Sequence, residues 1–538
     1  MNHSKLISCF FLCWFFIGIH AGYSQKTVPP ADSIKEIEIL PGTQRLTFKK
    51  IDDSTDLQIA AGTVRARQGN TFFTCDSCVI NNRTKIFEAF GHVHINDADT
   101  ANVDGDYLQY FFGKKVAYIK NHVRLTDGKA ILTTDNLEYD VDTKLGIYTN
   151  GGTVVNKKSV LTSREGYYYT DLKDIYFKKG VELKDPGYYL KTDSLLYNTE
   201  TEIARFIAET FIKDSSGRTI VTKEGYYDTR NRKAEFGQRS IVKDGPRTIT
   251  GNTIITNDST GISQIIGNAI VQDTAQGQTV IAGEIFINNK NESFLAFNKP
   301  LMIVKQEEDS IYITADTLFS ARLTDLYGKP DSITRDTVKG IKIVDTKTKD
   351  STNRYFEAFY HVRVFSDSLQ SVCDSLFYSF KDSTFRLYKD PVVWSKESQI
   401  TGDTILLFTK NKKADRIKVF ENSFLANKVQ AEFFNQIKSA RMDGFFNEGV
   451  MDSVKARGFA ECIYYIQDED SAFTGINQST SDAIDIYFRE KELKKVVFRS
   501  AVKGTLWPMR SKTAEEMRLE NFKWMEARRP KTKFELYQ

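Results

Sequence analysis

Apolar and polar residues alternate with a period of two along most of the chain. Val123 and Leu125, Leu137 and Tyr139, and Leu145 and Ile147 are each separated by one polar or small residue, the pattern of strands with one buried face. Short polar runs such as Asp142-Thr143-Lys144-Leu145-Gly146 interrupt the alternation. Strands usually span roughly 3–10 residues with connections of about 2–5, so a unit of about 30 residues is expected to hold about three. One stretch differs. Thr513-Ala514-Glu515-Glu516 fits a capping box, and Met517 to Arg529 predicts an amphipathic helix with Leu519, Phe522 and Met525 on one side. Such a helix would cap the end of the sheet or bind a partner.

A longer regularity lies over the alternation. An acidic residue, a small residue and apolar residues two and often four positions on recur at Asp76, Asp106, Asp135, Glu165, Asp193 and Glu224, spaced 28 to 31 residues apart. The series continues at Asp316, Asp374, Asp403 and Asp482, with degenerate copies near Asn252, Gly283 and Asn427. A period of this length marks stacked units that each bury an apolar face against the next. Length alone, 538 residues, would suggest three or four domains of about 150 residues. The repeat instead predicts one all-β array. The regularity breaks in the polar stretch from Ala321 to Arg354. The predicted organisation is a signal peptide over 1–24, a first repeat block over 25–320, an insertion loop or hinge over 321–354, a second block over 355–505, and a helix and tail over 506–538.

Composition sharpens this. The 38 Phe and 25 Tyr supply apolar surface as rings, which favours strands, and 10 prolines in such a length suit an array in which each proline would remove a ladder donor. Lys+Arg 74 against Asp+Glu 70 leaves a formal charge of +4, without the clustered basic footprint of a nucleic-acid binder. Lys5, the apolar run Leu6 to Ile19 and the small or polar residues Ala21, Gly22 and Ser24 form a secretory signal, shorter than the ~20 residues of a spanning helix. Its removal leaves Cys75, Cys78, Cys373 and Cys462, too few for a disulfide scaffold. Residues three apart on a strand face opposite sides, so Cys75 and Cys78 meet only if a bulge intervenes.

Candidate chemistry dissolves into the repeat. His92, His122 and His361 each precede a valine at the same place in the unit, as solvated strand-start residues. His92 and His94 lack a third ligand at metal spacing. The recurrent carboxylates form a ladder, one per unit, rather than a pair in a cleft, and are expected to accept turn hydrogen bonds. A phosphate loop, a nucleophile elbow and a metallohydrolase motif are all absent from the sequence. The expectation is a protein without enzymatic activity, metal or cofactor.

The repeated Gly-x-Val-x-Leu-x-Asp followed by Leu-x-Thr-x-Asp-x-Leu-x-Tyr resembles the OstA/LptA family of periplasmic lipopolysaccharide-transport proteins. Gly91–Asn121, Asn121–Gly151 and Gly180–Glu209 carry it best, notably Ala130-Ile-Leu-Thr-Thr-Asp-Asn-Leu-Glu-Tyr-Asp140. The resemblance implies an elongated open β-jelly roll in the periplasm whose groove shields acyl chains of lipopolysaccharide or lipid A between the membranes. Implied partners are an inner-membrane export complex and an outer-membrane LptD-like translocon, with edge-to-edge self-association of the terminal strands. About 30 residues follow the last repeat, too few for a barrel of 8 strands of ~10 residues each, so a bridge without a pore is expected. With one side-chain set turned inward, Leu108, Tyr110, Leu137, Tyr139, Leu195, Tyr197, Leu318, Leu376 and Tyr378 are the predicted groove lining. The rival readings are an exported β-repeat scaffold or adhesin with a closed core and no lipid cargo, and a β-helix enzyme acting on polysaccharide.

Overall fold

A computed structural model describes residues 36–52, 55–98, 100–305, 310–327, 352–410, 413–448, 450–468, 470, 472–489 and 492–537. The predicted signal peptide and most of the 321–354 stretch lie outside them. Among the described residues forty strands join in one continuous antiparallel sheet.

The building block is a long strand bent in the middle. In Ile86–Asp97 the buried positions are Phe87, Ala89, Val93, Ile95 and Asp97, so one face is kept inward on both sides of an interruption at Gly91 and His92. These two residues have φ of 71° and 45°, and the register jumps between Phe90 and Val93. The same left-handed pair recurs at Asn121 and His122, at Lys179 and Gly180, and at Glu421 and Asn422. Two residues on one strand facing one on its neighbour is a β-bulge, which bends and twists the strand. Because every long strand bends at the same level, the sheet folds into two walls meeting at a common corner, with the apolar side chains between them. Units such as that over 116–140 therefore hold two long bent strands, Val116–Thr126 and Ile131–Asp140, because one strand serves both walls, while in others the same path is split into four short strands, as in Leu145–Tyr148, Gly152–Asn156, Ser159–Ser163 and Glu165–Tyr169; neither is the three expected.

The turns at the outer rims use local chemistry. Asn81 Oδ1 accepts from the amides of Arg83 and Thr84, both at 3.1 Å, and Asp140 Oδ1 from those of Asp142 and Thr143 at 2.9 and 3.0 Å. These Asx turns pass into a left-handed residue, Lys85 and Lys144, each at φ 57°, which completes the reversal.

The strands Thr317–Arg322 and Arg354–Phe365 pair directly, from Thr317 with Phe359 to Arg322 with Arg354. The polar stretch between them is the connection of a hairpin, opening with the short helix Leu323–Tyr327, and the sheet runs past it without a break. One buried apolar cluster extends from Ile37 to Ile486. At the ends, Arg45–Asp52 is exposed along its whole length and pairs, among the described residues, with Thr55–Gln68 alone, while Glu492–Arg499 and Lys503–Pro508 close on Phe473–Arg489.

The predicted C-terminal amphipathic helix is replaced by turns and by short 3-10 segments at Met509–Ser511, Glu526–Arg528 and Lys533–Tyr537. The capping box does form: Glu516 accepts from the Thr513 amide at 2.8 Å and the Glu516 amide donates to Thr513 Oγ1 at 3.3 Å. Beyond it, contacts with the wall described below hold the backbone out of the helical path, and tertiary bonds override local propensity.

Candidate functional site

The repeat acid sits at the corner. Asp76 and Asp106 each lie opposite a two-residue bulge, where His92 Nδ1 approaches Asp76 at 2.8 Å and His122 Nδ1 approaches Asp106 at 2.7 Å. His361 meets Asp316 at 2.9 Å and Asn422 donates to Asp403 at 3.1 Å in the same arrangement. The carboxylates are bend clamps rather than turn caps, and the histidines mark the bend rather than a strand start. The carboxylate of Asp76 holds the imidazole of His92 above its usual range, and Asp106 does the same for His122. A bulge between Thr74 and Ser77 turns both Cys75 and Cys78 inward, where they are buried free thiols.

The predicted lining residues divide. Leu108, Tyr110, Leu137, Tyr139, Leu195 and Tyr197 all point between the walls but are at most 2% exposed, sealed in a packed interior. Leu318 and Leu376 are equally buried and Tyr378 is half-buried against the same core; Leu376 alone of the set borders the cavity of the second half.

Across the first half the rims are fastened together. Tyr110 donates to Gln68 Oε1 at 2.5 Å, and Gln68 Nε2 donates to the Phe112 carbonyl at 2.9 Å. One unit on, Asp97 accepts from Thr71 at 3.0 Å on its own rim, and from Tyr139 at 2.8 Å and Lys144 at 2.6 Å on the other. Asp127 accepts from Thr199 at 2.8 Å, and Lys173 donates to the Asp127 carbonyl at 2.9 Å. Asn156 donates to Tyr197 Oη at 3.1 Å and to the Thr199 carbonyl at 2.8 Å, and Arg218 reaches Asp258 at 3.0 Å. Burial raises the hydroxyl pKa of Tyr110 and Tyr139 well above the usual range and that of Tyr197 to about 12, so these groups stay protonated. A buried carboxylate is tolerated only when paired and hydrogen-bonded, and Asp97 has both. The sequence signal for this zipper is parity: Asp97 and Asp127 continue the inward register of Val93 and Ile95, and of Val123 and Leu125.

The second half differs. There the walls enclose a cavity of about 1710 Å³ bordered by residues from Ile311 to Val496. Leu376, Leu387 and Leu407 line it from one wall, and Val393, Leu425 and Ile437 from the other. Its lips are polar and mixed in charge, with Lys410, Lys413 and Glu448 on one side and Lys396, Glu397 and Lys428 on the other. Drug-sized pockets measure roughly 300–1,000 Å³, so this trough has room for a larger or multi-chain apolar guest. It offers burial of hydrocarbon and polar contacts at the mouth.

The tail braces the outer face of the trough. Gln436 Nε2 donates to the Met517 carbonyl at 2.9 Å while its Oε1 accepts from the Leu519 amide at 2.9 Å. Gln399 repeats the pattern with the Lys523 carbonyl and the Met525 amide, both at 2.7 Å. Arg529 then donates to Gln370 Oε1 at 2.7 Å. Met517 and Leu519 pack on Phe424, Ala426, Ile463 and Ile476, and Met525 on Trp394. The predicted apolar side of the tail thus meets a wall, on a backbone of turns and 3-10 segments.

Two bent walls fastened or open at their mouth define an open-sided β-jelly roll. Residues 36–193 match the OstA-like protein family. The chain is also similar, at 14% identity over 19% of this chain and 79% of the other, to LptH of Pseudomonas aeruginosa, described as the LptA homologous periplasmic component of the conserved lipopolysaccharide transport device, with a TM-score of 0.18. A likeness that slight carries no argument about this fold. No curated protein matches the chain.

Proposed function

We propose that this protein is an exported, periplasmic component of lipopolysaccharide transport that shields acyl chains in the trough of its second half, and that it binds rather than catalyses. The OstA-like match supports the transport class. The observation that carries the lipid reading is the large cavity between residues 311 and 496, where leucine, isoleucine, valine and phenylalanine side chains are interspersed with hydroxyl, amide and charged groups. Each buried CH₂ contributes about 0.8 kcal/mol, so a continuous apolar trough is enough to hold acyl chains without specific head-group bonds. The strand Arg45–Asp52, at the end of the described sheet and with Leu46, Phe48 and Ile51 exposed, is the place for a neighbouring sheet to add on. That neighbour is an inner-membrane export complex, an LptD-like translocon or a second copy.

Photoreactive residues at Leu407 and Ile437, irradiated with lipid A, are expected to yield covalent adducts, while Lys418, on the outer face, yields none. Labelling confined to Lys418 would falsify the trough reading and favour the rival, a β-repeat scaffold or adhesin without cargo, which the packed first half would also suit. Proline at Phe48 is expected to abolish co-purification of an edge partner; undiminished recovery would count against edge docking.

A further inference from the structure

The two halves of the rod are built on one strand plan and differ in what lies between the walls. In the first half the space is filled. Phe73 packs on Phe87 at 5.5 Å and on Tyr110 at 4.9 Å between ring centroids. Where the strand Leu145–Tyr148 ends, the ring of Tyr148 lies directly over Gly152 and Gly166, and a Cβ at either would collide with it. The mouth is then fastened from Gln68 to Asp258 by the cross-rim bonds described above. An acyl chain passing this way would have to break the buried Asp97 cluster and displace several rings.

We infer, on the strength of the lipid reading, that the ligand seat is confined to the second half: a blind trough that takes an amphiphile with several acyl chains. The first half is a solid spacer with no path for cargo. Loading and release then take place sideways through the open mouth or at the C-terminal end, never by threading along the whole rod. The polar part of the guest stays at the lips, where Lys396, Lys410 and Lys428 alternate with acidic groups. The cross-rim bonds, on this view, are permanent fasteners and not latches.

The test uses the full chain and hexa-acyl lipid A in dodecyl maltoside micelles. Photoreactive residues at Leu407 and Ile437 are expected to label at least tenfold more strongly than those at Leu137 and Leu195. Since a bulky replacement in the packed half could unfold it, the unsubstituted protein is followed in parallel by amide hydrogen exchange. Lipid A is expected to slow exchange in the strands between 364 and 488 and to leave those between 86 and 206 unchanged. Labelling at Leu137 or Leu195 comparable to that at Leu407, or any change in exchange between 86 and 206, overturns the confinement while leaving the carrier reading intact. Absence of both labelling and protection anywhere overturns the carrier reading and the confinement with it.

Discussion

Asp97 joins two walls through one side chain. Its carboxylate is 1% exposed and holds Lys144, Tyr139 and Thr71. Asp97→Ala leaves an ammonium and two hydroxyls without their acceptor in a largely buried site, which costs about 3–5 kcal/mol when one partner of a buried pair is removed. The midpoint of urea unfolding is expected to fall accordingly, with Asp97→Asn losing less. The corner pairs are weaker and titrate. Asp76 raises the His92 pKa in the folded chain, through a hydrogen bond first and charge second, against an ordinary value near 6.5. The pair's contribution to stability is therefore fully present below that ordinary value, and is lost as pH rises through the higher folded value. Both side chains are largely exposed, at 92% and 60%, so salt weakens the effect. In Asp76→Asn the His92 ring, followed by NMR, is expected to titrate at lower pH than in the parent.

The bend and the strap are the elements that shape the walls. The bends at Gly91–His92, Asn121–His122, Lys179–Gly180 and Glu421–Asn422 each use two consecutive residues at positive φ, which costs an ordinary side chain about 1–2 kcal/mol and a β-branched one more. Asn121→Val is expected to destabilise by about that much, whereas Asn121→Gly is expected to be neutral or slightly stabilising, as read by thermal unfolding. The tail acts where the rims are unfastened. The described cross-rim bonds end at Arg218 and Asp258, whereas the Gln370, Gln399 and Gln436 contacts lie along the second half. With its mouth open, that wall lacks support from across the interior, and the strap ties successive strands from outside. Truncation after Lys512 is expected to speed hydrogen exchange in Val392–Ser395 and Ser398–Thr401, with a synthetic 513–538 peptide restoring protection. Unchanged exchange would reduce the tail to an ornament.

At the scale of the whole molecule, the same bent strand is used to two ends, a zipped prism and an open trough. Hydroxyl-tipped rings are one reason. In the first half Tyr110, Tyr139 and Tyr197 reach the opposite rim and bond there, whereas Leu376, Leu407, Leu425, Ile437 and Phe385 at the cavity of the second half carry no hydroxyl to bond across it. Leu407→Glu is expected to abolish capture of lipid A with little loss of stability, since its carboxylate reaches the solvated mouth. The same change at Leu195 would place a charge in a closed core and is expected to prevent folding, read by loss of the cooperative transition.

By itself the sequence determined the strands, their 28 to 31 residue period and which side chains turn inward, because these follow from local alternation and turn chemistry. It also carried the corner, once Asp76, Asp106, Asp316 and Asp403 are paired with the His or Asn of a neighbouring strand. Local pattern is blind to the distance between walls, which is set by contacts over 40 or more residues such as Tyr139 with Asp97. Only the tertiary structure therefore decided that Leu108, Leu137 and Leu195 pack into a filled interior while Leu376, equally buried, borders the cavity of the second half. It also decided that a stretch with helical spacing runs along a wall in turns and 3-10 segments, because glutamine amides far away in the chain compete for its backbone bonds.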